Sequence, residues 1–196
     1  MILRRIFDGR NDGFYVDVGA HHPQRFSNTY YFYLRGWRGI NIDATPGSMN
    51  QFNKIRPHDV NVEAAIAREK KDITFFMFDE PALNSFDEEL SQSRNNTVYK
   101  IIEKKIISTK TLAEILSEYL PPDQSIDFIS IDVEGLDLEV LESNDWERFK
   151  PYCVLVECYL DSLDGIEKNN VYKYLQKRNY KLFAKTANTF IFTSGS

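Results

Sequence analysis

Four short apolar runs of this chain stop at a carboxylate, and that repetition restricts the fold more than any other feature. They read Val16-Asp17-Val18-Gly19, Asn41-Ile42-Asp43-Ala44, Ile131-Asp132-Val133-Glu134 and Val154-Leu155-Val156-Glu157. Each is too short for a buried helix and rich in aliphatic residues, so each predicts a strand covered on both faces. Helix signals fall between them. Ser27 caps a predicted helix through Tyr30, Tyr31 and Leu34 that ends at Gly36, and Pro46 opens another reaching about Lys54. Thr111 and Glu114 have capping-box spacing ahead of a Pro121-Pro122 stop, and further helices are predicted over residues 136–141 and 165–178. Residues 60–66, 73–78 and 101–108 read as additional strands, the last with Glu103, Lys104 and Lys105 as a sheet edge would carry them. Residues 84–97 are polar and predict a lid, or a short helix followed by a loop. Residues 181–183 and 189–193 close the chain as a hairpin.

Strands alternating with helices define an α/β fold. The expected architecture is a Rossmann-like, mostly parallel sheet with helices on both faces and an antiparallel C-terminal edge hairpin. A length of 196 residues fits one domain over 1–196. With 24 Lys and Arg against 29 Asp and Glu, the net charge is −5. No basic run offsets it, which argues against nucleic acid as the partner. Cys153 and Cys158 lie five positions apart in one apolar stretch, where a strand would point them to opposite faces; two such thiols fit a reducing compartment. Arg4 and Arg5 interrupt the first residues too early for a signal-peptide core, and no apolar run approaches the roughly 20 residues a bilayer needs. The expectation is a cytoplasmic protein with no membrane span.

In open α/β sheets ligands bind at the carboxyl ends of strands, where the four acids stand. A phosphate-bearing cofactor needs a glycine-rich loop with few acids nearby. Here Gly19 is followed by Ala20-His21-His22-Pro23, so neither G-x-G-x-x-G nor a P-loop is present. That disfavours an NAD-dependent oxidoreductase. S-adenosylmethionine has no phosphate and carries a positive sulfonium, which an acid-rich rim suits; an acid closing the second strand is where a ribose would be gripped.

The stretch from Phe14 through Asp17, Gly19 and His21, with Ser27-Asn28-Thr29, Gly36-Trp37-Arg38-Gly39-Ile40 and Asp43, resembles the FkbM family of S-adenosylmethionine-dependent methyltransferases. A second block, Ile126-Asp127-Phe128-Ile129-Ser130-Ile131-Asp132-Val133-Glu134-Gly135, then Leu138-Glu139-Val140-Leu141 and Val156-Glu157, is similar to that family's other signature. The chain departs from the family at His21-His22-Pro23, where many members carry an asparagine and then a glycine. The resemblance implies an O-methyltransferase acting on a hydroxyl of a sugar or glycan-related small molecule. The alternative is a catalytically inactive S-adenosylmethionine-binding subunit of a biosynthetic complex.

Expected roles follow. Asp17, Gly19, Ala20 and His21 line the methionine part of the cofactor. Asp43 holds the ribose beside Ala44, Glu63 or Ala64 reaches the adenine edge, and Asp132 meets the reactive end. A hydroxyl needs help to lose its proton, and the candidate bases are His21, His22, Asp132 and Glu134. Asp132 and Glu157 offer hard oxygen ligands for a divalent cation such as Mg²⁺. Against these stand plainer meanings: Asp17 as a structural acid, the histidines as loop residues, Glu134 as a helix first-turn acid, Glu157 as an ion-pair partner.

Overall fold

A computed structural model describes residues 2–160 and 162–195. The main sheet is built from β1 (Phe14–Val18), β2 (Arg38–Asp43), β3 (Val60–Glu63), β7 (Phe128–Ile131), β8 (Cys153–Glu157), β9 (Tyr180–Lys185) and β10 (Thr189–Ser194). Their order is β3-β2-β1-β7-β8-β10-β9. The first five run parallel, and β10 lies antiparallel between β8 and β9. The predicted hairpin therefore exists, with β9 forming the edge.

Alternation along the strands sends side chains to both faces, and helices cover each. On one face Phe14, Val16 and Val18 pack with Ile129, Ile131 and Val154 beneath three helices. These are α5 (Leu112–Tyr119), α6 (Asp137–Glu142) and α7 (Asn170–Gln176). On the other, Tyr15, Phe128 and Leu155 meet Leu3 of α1 (Ile2–Ile6) and Phe32 of α2 (Tyr30–Tyr33), with Trp37 fully buried among them. Ser27 Oγ accepts the Thr29 and Tyr30 amides at 3.2 and 3.0 Å, but the N-cap position of α2 is Thr29 and the helix ends at Tyr33, shorter than predicted. The Thr111–Glu114 capping box is complete. α3 (Met49–Ile55) follows β2.

Three expectations need correction. The run 60–66 breaks at Ala64 into β3 and β4 (Ala65–Ile66), which belong to different sheets. β4 joins β6 (Ile101–Lys110) and β5 (Asp72–Phe78) in a second, three-stranded sheet of order β4-β6-β5, so the strand read as an edge is central at its C-terminal end. The helix expected over 165–178 is a 3-10 segment (Leu163–Lys168) followed by α7, because the Asn169 side chain accepts the Val171 and Tyr172 amides and starts a new helix. The polar stretch 84–97 contains α4 (Glu88–Arg94), capped by Asp87.

Candidate active site

Sequence-adjacent strands diverge between β1 and β7, and a cleft of about 280 Å³ opens there at their carboxyl ends. Backbone bonds tie the rim together: Gly19 and Ala20 donate to the Ile42 carbonyl at 2.9 and 3.0 Å, and Asp132 donates to Val18 at 3.0 Å. Gly19 has φ +78°, and a Cβ there would lie 1.7 Å from the Asp132 carbonyl oxygen. Only glycine lets β1 turn so close to β7. The segment after β5 roofs the cleft, contributing Pro81, Ala82, Asn84 and Phe86.

Asp17, Gly19, Ala20, His21, Asp43, Ala44, Asp132 and Glu134 all line this cleft. Asp17 is buried, and its Oδ2 accepts from the Thr29 hydroxyl at 2.7 Å. Desolvation pushes its pKa up, with Thr29 and Arg56 opposing. Arg56 stands behind Thr29, donating to its Oγ1 at 3.0 Å, to Tyr15 at 2.8 Å and to Asp59 at 2.8 Å. This fully buried ion pair, Arg56–Asp59, fixes the floor below Asp17; breaking such a pair typically costs about 3–5 kcal/mol. Asp43 accepts the His21 amide at 2.9 Å through Oδ2 and the Thr45 amide at 2.8 Å through Oδ1, so it shapes the loops at both of its sides. Ala44, Ala64, Ile66, Phe75 and Phe86 make the other end of the cleft apolar, the two phenyl rings 4.5 Å apart.

Three expected residues stand elsewhere. Glu63 is exposed, accepts the Gly47 amide at 2.6 Å and lies outside the cleft lining, whereas Ala64 lines it. Glu157 lies in an adjoining open hollow of about 600 Å³, which shares Glu134 with the first cleft. His22 also lies outside the cleft lining; its Nδ1 accepts the Gln24 and Arg25 amides at 3.1 and 2.9 Å, and desolvation then His21 lower its pKa.

At the junction of the two hollows, Asp132, Glu134 and Glu157 bring carboxylate oxygens within 4.8 Å of one another. Arg94 donates to Glu134 at 2.7 Å, and Tyr159 donates to Glu157 at 2.6 Å. Asp132 has no cationic partner among the described residues. Its carboxyl is exposed at the opening, yet partial desolvation first, then Glu157, Asp137 and Glu134, push its pKa up to about 8. Glu157 is raised to about 7, again chiefly by desolvation, and Asp137, buried behind the turn, to about 6. The backbone is held in the left-handed region at His21 (φ +51°) and Glu134 (φ +52°), strain of the kind concentrated at functional sites.

Three of the four strand-end acids, Asp17, Asp43 and Asp132, thus line one opening, while Glu157 faces the hollow beside it. A sequence profile described as the Methyltransferase FkbM domain matches residues 17–182. The chain belongs to the FkbM methyltransferase family. It is an S-adenosylmethionine-dependent methyltransferase. A similar solved structure is the precorrin-6y C5,15-methyltransferase from Geobacter metallireducens GS-15, 13% identical, covering 100% of this chain and 86% of that one at a TM-score of 0.48. No curated protein matches the chain.

Several cleft residues of this methyltransferase carried no assigned role in the sequence. Asn28 donates to Ser130 at 3.1 Å and both line the cleft; each sat inside a family-like motif, which was the available signal. Arg94, Tyr159 and Arg56 had none, because their meaning depends on contacts across 40, 2 and 27 to 41 positions with groups that had to be folded into place first. No helix among the described residues is long and apolar enough to cross a membrane.

Proposed function

We propose that residues 1–196 act as one cytoplasmic methyltransferase unit that moves a methyl group from S-adenosylmethionine to a hydroxyl of a sugar or glycan-related small molecule. The carrying observation is the acid junction: Asp132, with Glu134 and Glu157 beside it, lines the first cleft next to a second hollow that shares Glu134, and its pKa is pushed up to about 8. In this reading the methionine end lies against Asp17, Gly19, Ala20 and His21. Asp43 accepts from the ribose hydroxyls, and the adenine enters the apolar end beside Ala44 and Ala64, with Glu63 left as a loop brace.

The acceptor fits the second hollow. Tyr159 is 60% exposed there and offers an aromatic face beside Asn170 and Arg94. Arg94 Nη1 is buried without a partner among the described residues, a donor that an acceptor hydroxyl would satisfy. Asp132 serves as the base. The hydroxyl proton passes to its carboxylate, the oxygen–carbon bond forms, and the carbon–sulfur bond breaks, leaving a neutral thioether. A sulfonium beside Asp132 lowers its pKa and keeps it ionised before transfer; once that charge is gone, the acid holds the proton readily. Glu134, already paired with Arg94, and His21, whose ring lines the cleft, orient rather than deprotonate.

Calorimetry separates cofactor classes: S-adenosylhomocysteine should bind, and NAD should not. Labelled S-adenosylmethionine should pass its methyl to bacterial glycan precursors; binding without transfer to any hydroxylated acceptor would favour the inactive-subunit alternative. Asp43→Ala should weaken cofactor binding by about 1–3 kcal/mol, the usual loss for a charged hydrogen-bond partner. Because Asp43 also holds the His21 and Thr45 amides, the upper part of that range is expected. An unchanged affinity removes the ribose role.

The carboxylate cluster favours a second way of balancing its charge. Asp132 and Glu157, with Glu134 adjacent, present the hard oxygen donors that suit Mg²⁺. Bound there, the ion would act as a Lewis acid toward the acceptor oxygen. With Arg94 and Tyr159 already engaging two of the three acids, we expect methyl transfer to survive exhaustive chelation. Activity lost to chelator and restored by Mg²⁺ would instead assign these residues to a metal.

A further inference from the structure

β6 has an open edge where its sequence is self-complementary. β5 pairs one side of it, with a register shift between Met77 and Phe78 that sets Ile101 rather than Ile102 opposite Phe78, but on the other side β4 meets only Thr109 and Lys110. Over residues 102–108 no strand covers that edge among the described residues. Two large side chains in this stretch, Ile102 and Ile106, are 65% and 73% exposed. An open edge that is also apolar invites pairing with another chain.

The ladder with β5 sets which groups face outward. Thr109 donates to the Lys71 carbonyl at 2.8 Å, and Phe76, opposite Lys104, turns its amide away from β6 to Ser85 at 2.9 Å. Antiparallel ladders alternate, so from Glu103 to Thr109 odd-numbered residues of β6 bond β5 and even-numbered ones aim N–H and C=O at the free side. The alternation breaks at the shift, where the Ile101 amide donates to Asn95 Oδ1 at 3.1 Å, so Lys104 and Ile106 are the outward set, with Ile102 beside them at the shift.

We propose that the protein forms a dimer by antiparallel pairing of β6 with β6 of a second copy, about a twofold axis at Lys104. Only registers that set even residues opposite even residues match the outward bonds. Centred on Glu103, the pairing opposes two glutamates and puts Lys105 against Ile101. Centred on Lys105, it opposes two lysines and puts Lys104 against Ile106. Centred on Lys104, it sets Ile102 against Ile106 and Glu103 against Lys105, each twice. Its one like-charge pair, Lys104 with itself, is relieved because each ammonium lies 4.9 Å from the centroid of its own Phe76 ring, toward β5. The paired segment, residues 102–106, stops short of β4 at one end and of the Ile101–Asn95 hydrogen bond at the other. The contact is isologous and joins the two small sheets into one.

Light scattering and sedimentation of the full chain should show a dimer that dissociates on dilution. Glu103→Lys turns both cross-strand charge pairs repulsive and should weaken association roughly tenfold to hundredfold. Adding Lys105→Glu restores opposite charges and should restore the dimer. Lys104→Pro removes an outward amide that β5 does not use, so it should give a monomer with unchanged circular dichroism. A wild-type chain that stays monomeric at high concentration overturns the proposal. So does a dimer indifferent to Glu103→Lys, or one that the double substitution fails to rescue.

Discussion

Gly19→Ala is expected to abolish measurable S-adenosylhomocysteine binding and to lower folding stability by roughly 2–4 kcal/mol, the left-handed backbone and a forced displacement each contributing. The displacement arises because the new methyl would sit 1.7 Å from a backbone oxygen, that of Asp132, which belongs to the neighbouring strand end and cannot swing aside as a side chain could. To make room, β1 and β7 must separate at the point where Asp132 donates to Val18. The cleft floor and the base would move together. Gly9→Ala isolates the conformational part: Gly9 has φ +77° with nothing within 4 Å of a Cβ, so it should lose only about 1–2 kcal/mol. Denaturant melts of both variants, with calorimetry, check this. Equal melts for the two, or wild-type affinity in Gly19→Ala, would show that the close approach is not what shapes the site.

The rim was legible in the sequence because three of the strand ends announce themselves locally: an apolar run holding an acid, with glycine or alanine within the next three residues. Asp17, Asp43 and Asp132 needed no knowledge of partners. The capping box at Thr111 and Glu114 was equally local. The second sheet was not. Residues 60–66 alternate enough to read as one strand, and nothing in that period marks Ala64 as the point where the chain leaves one sheet for another. The pairing of β5 with β6 joins positions up to 36 apart, such as Asp72 and Ser108, and pairing partners carry no local mark. Asn169 did carry one, as a residue suited to capping, but the apolar spacing around it reads through as a single helix. In the site, Glu157 ends its strand as expected yet faces the second hollow, since β8 lies one strand further from the switch point than β7.

Asp132→Asn should reduce methyl transfer by about 10²–10⁴-fold, the usual contribution of a positioned base. S-adenosylhomocysteine, neutral at sulfur, should bind nearly as before, while S-adenosylmethionine should lose affinity, because only the sulfonium interacts with the lost charge. Proton affinity gives a second readout. In wild type, kcat/KM for the cofactor should rise with pH toward a limb near 8, where free Asp132 ionises, and the limb in kcat should lie lower because the sulfonium is then present. The variant should lack this limb. Stability without cofactor follows from the same shift. Asp132, Glu157 and Asp137 are raised above the ordinary carboxylate range, so between about pH 4 and 8 the folded protein holds protons that the unfolded chain has released. Their stabilisation is complete at the acid end of that window and is lost as pH rises through it. Asp132→Asn should flatten this decline, and saturating S-adenosylmethionine should oppose it, since the cation favours the ionised cluster. A variant with full activity, or one whose stability falls with pH as steeply as the wild type, would remove Asp132 from the role of base and leave the positioning of cofactor and acceptor to carry the reaction.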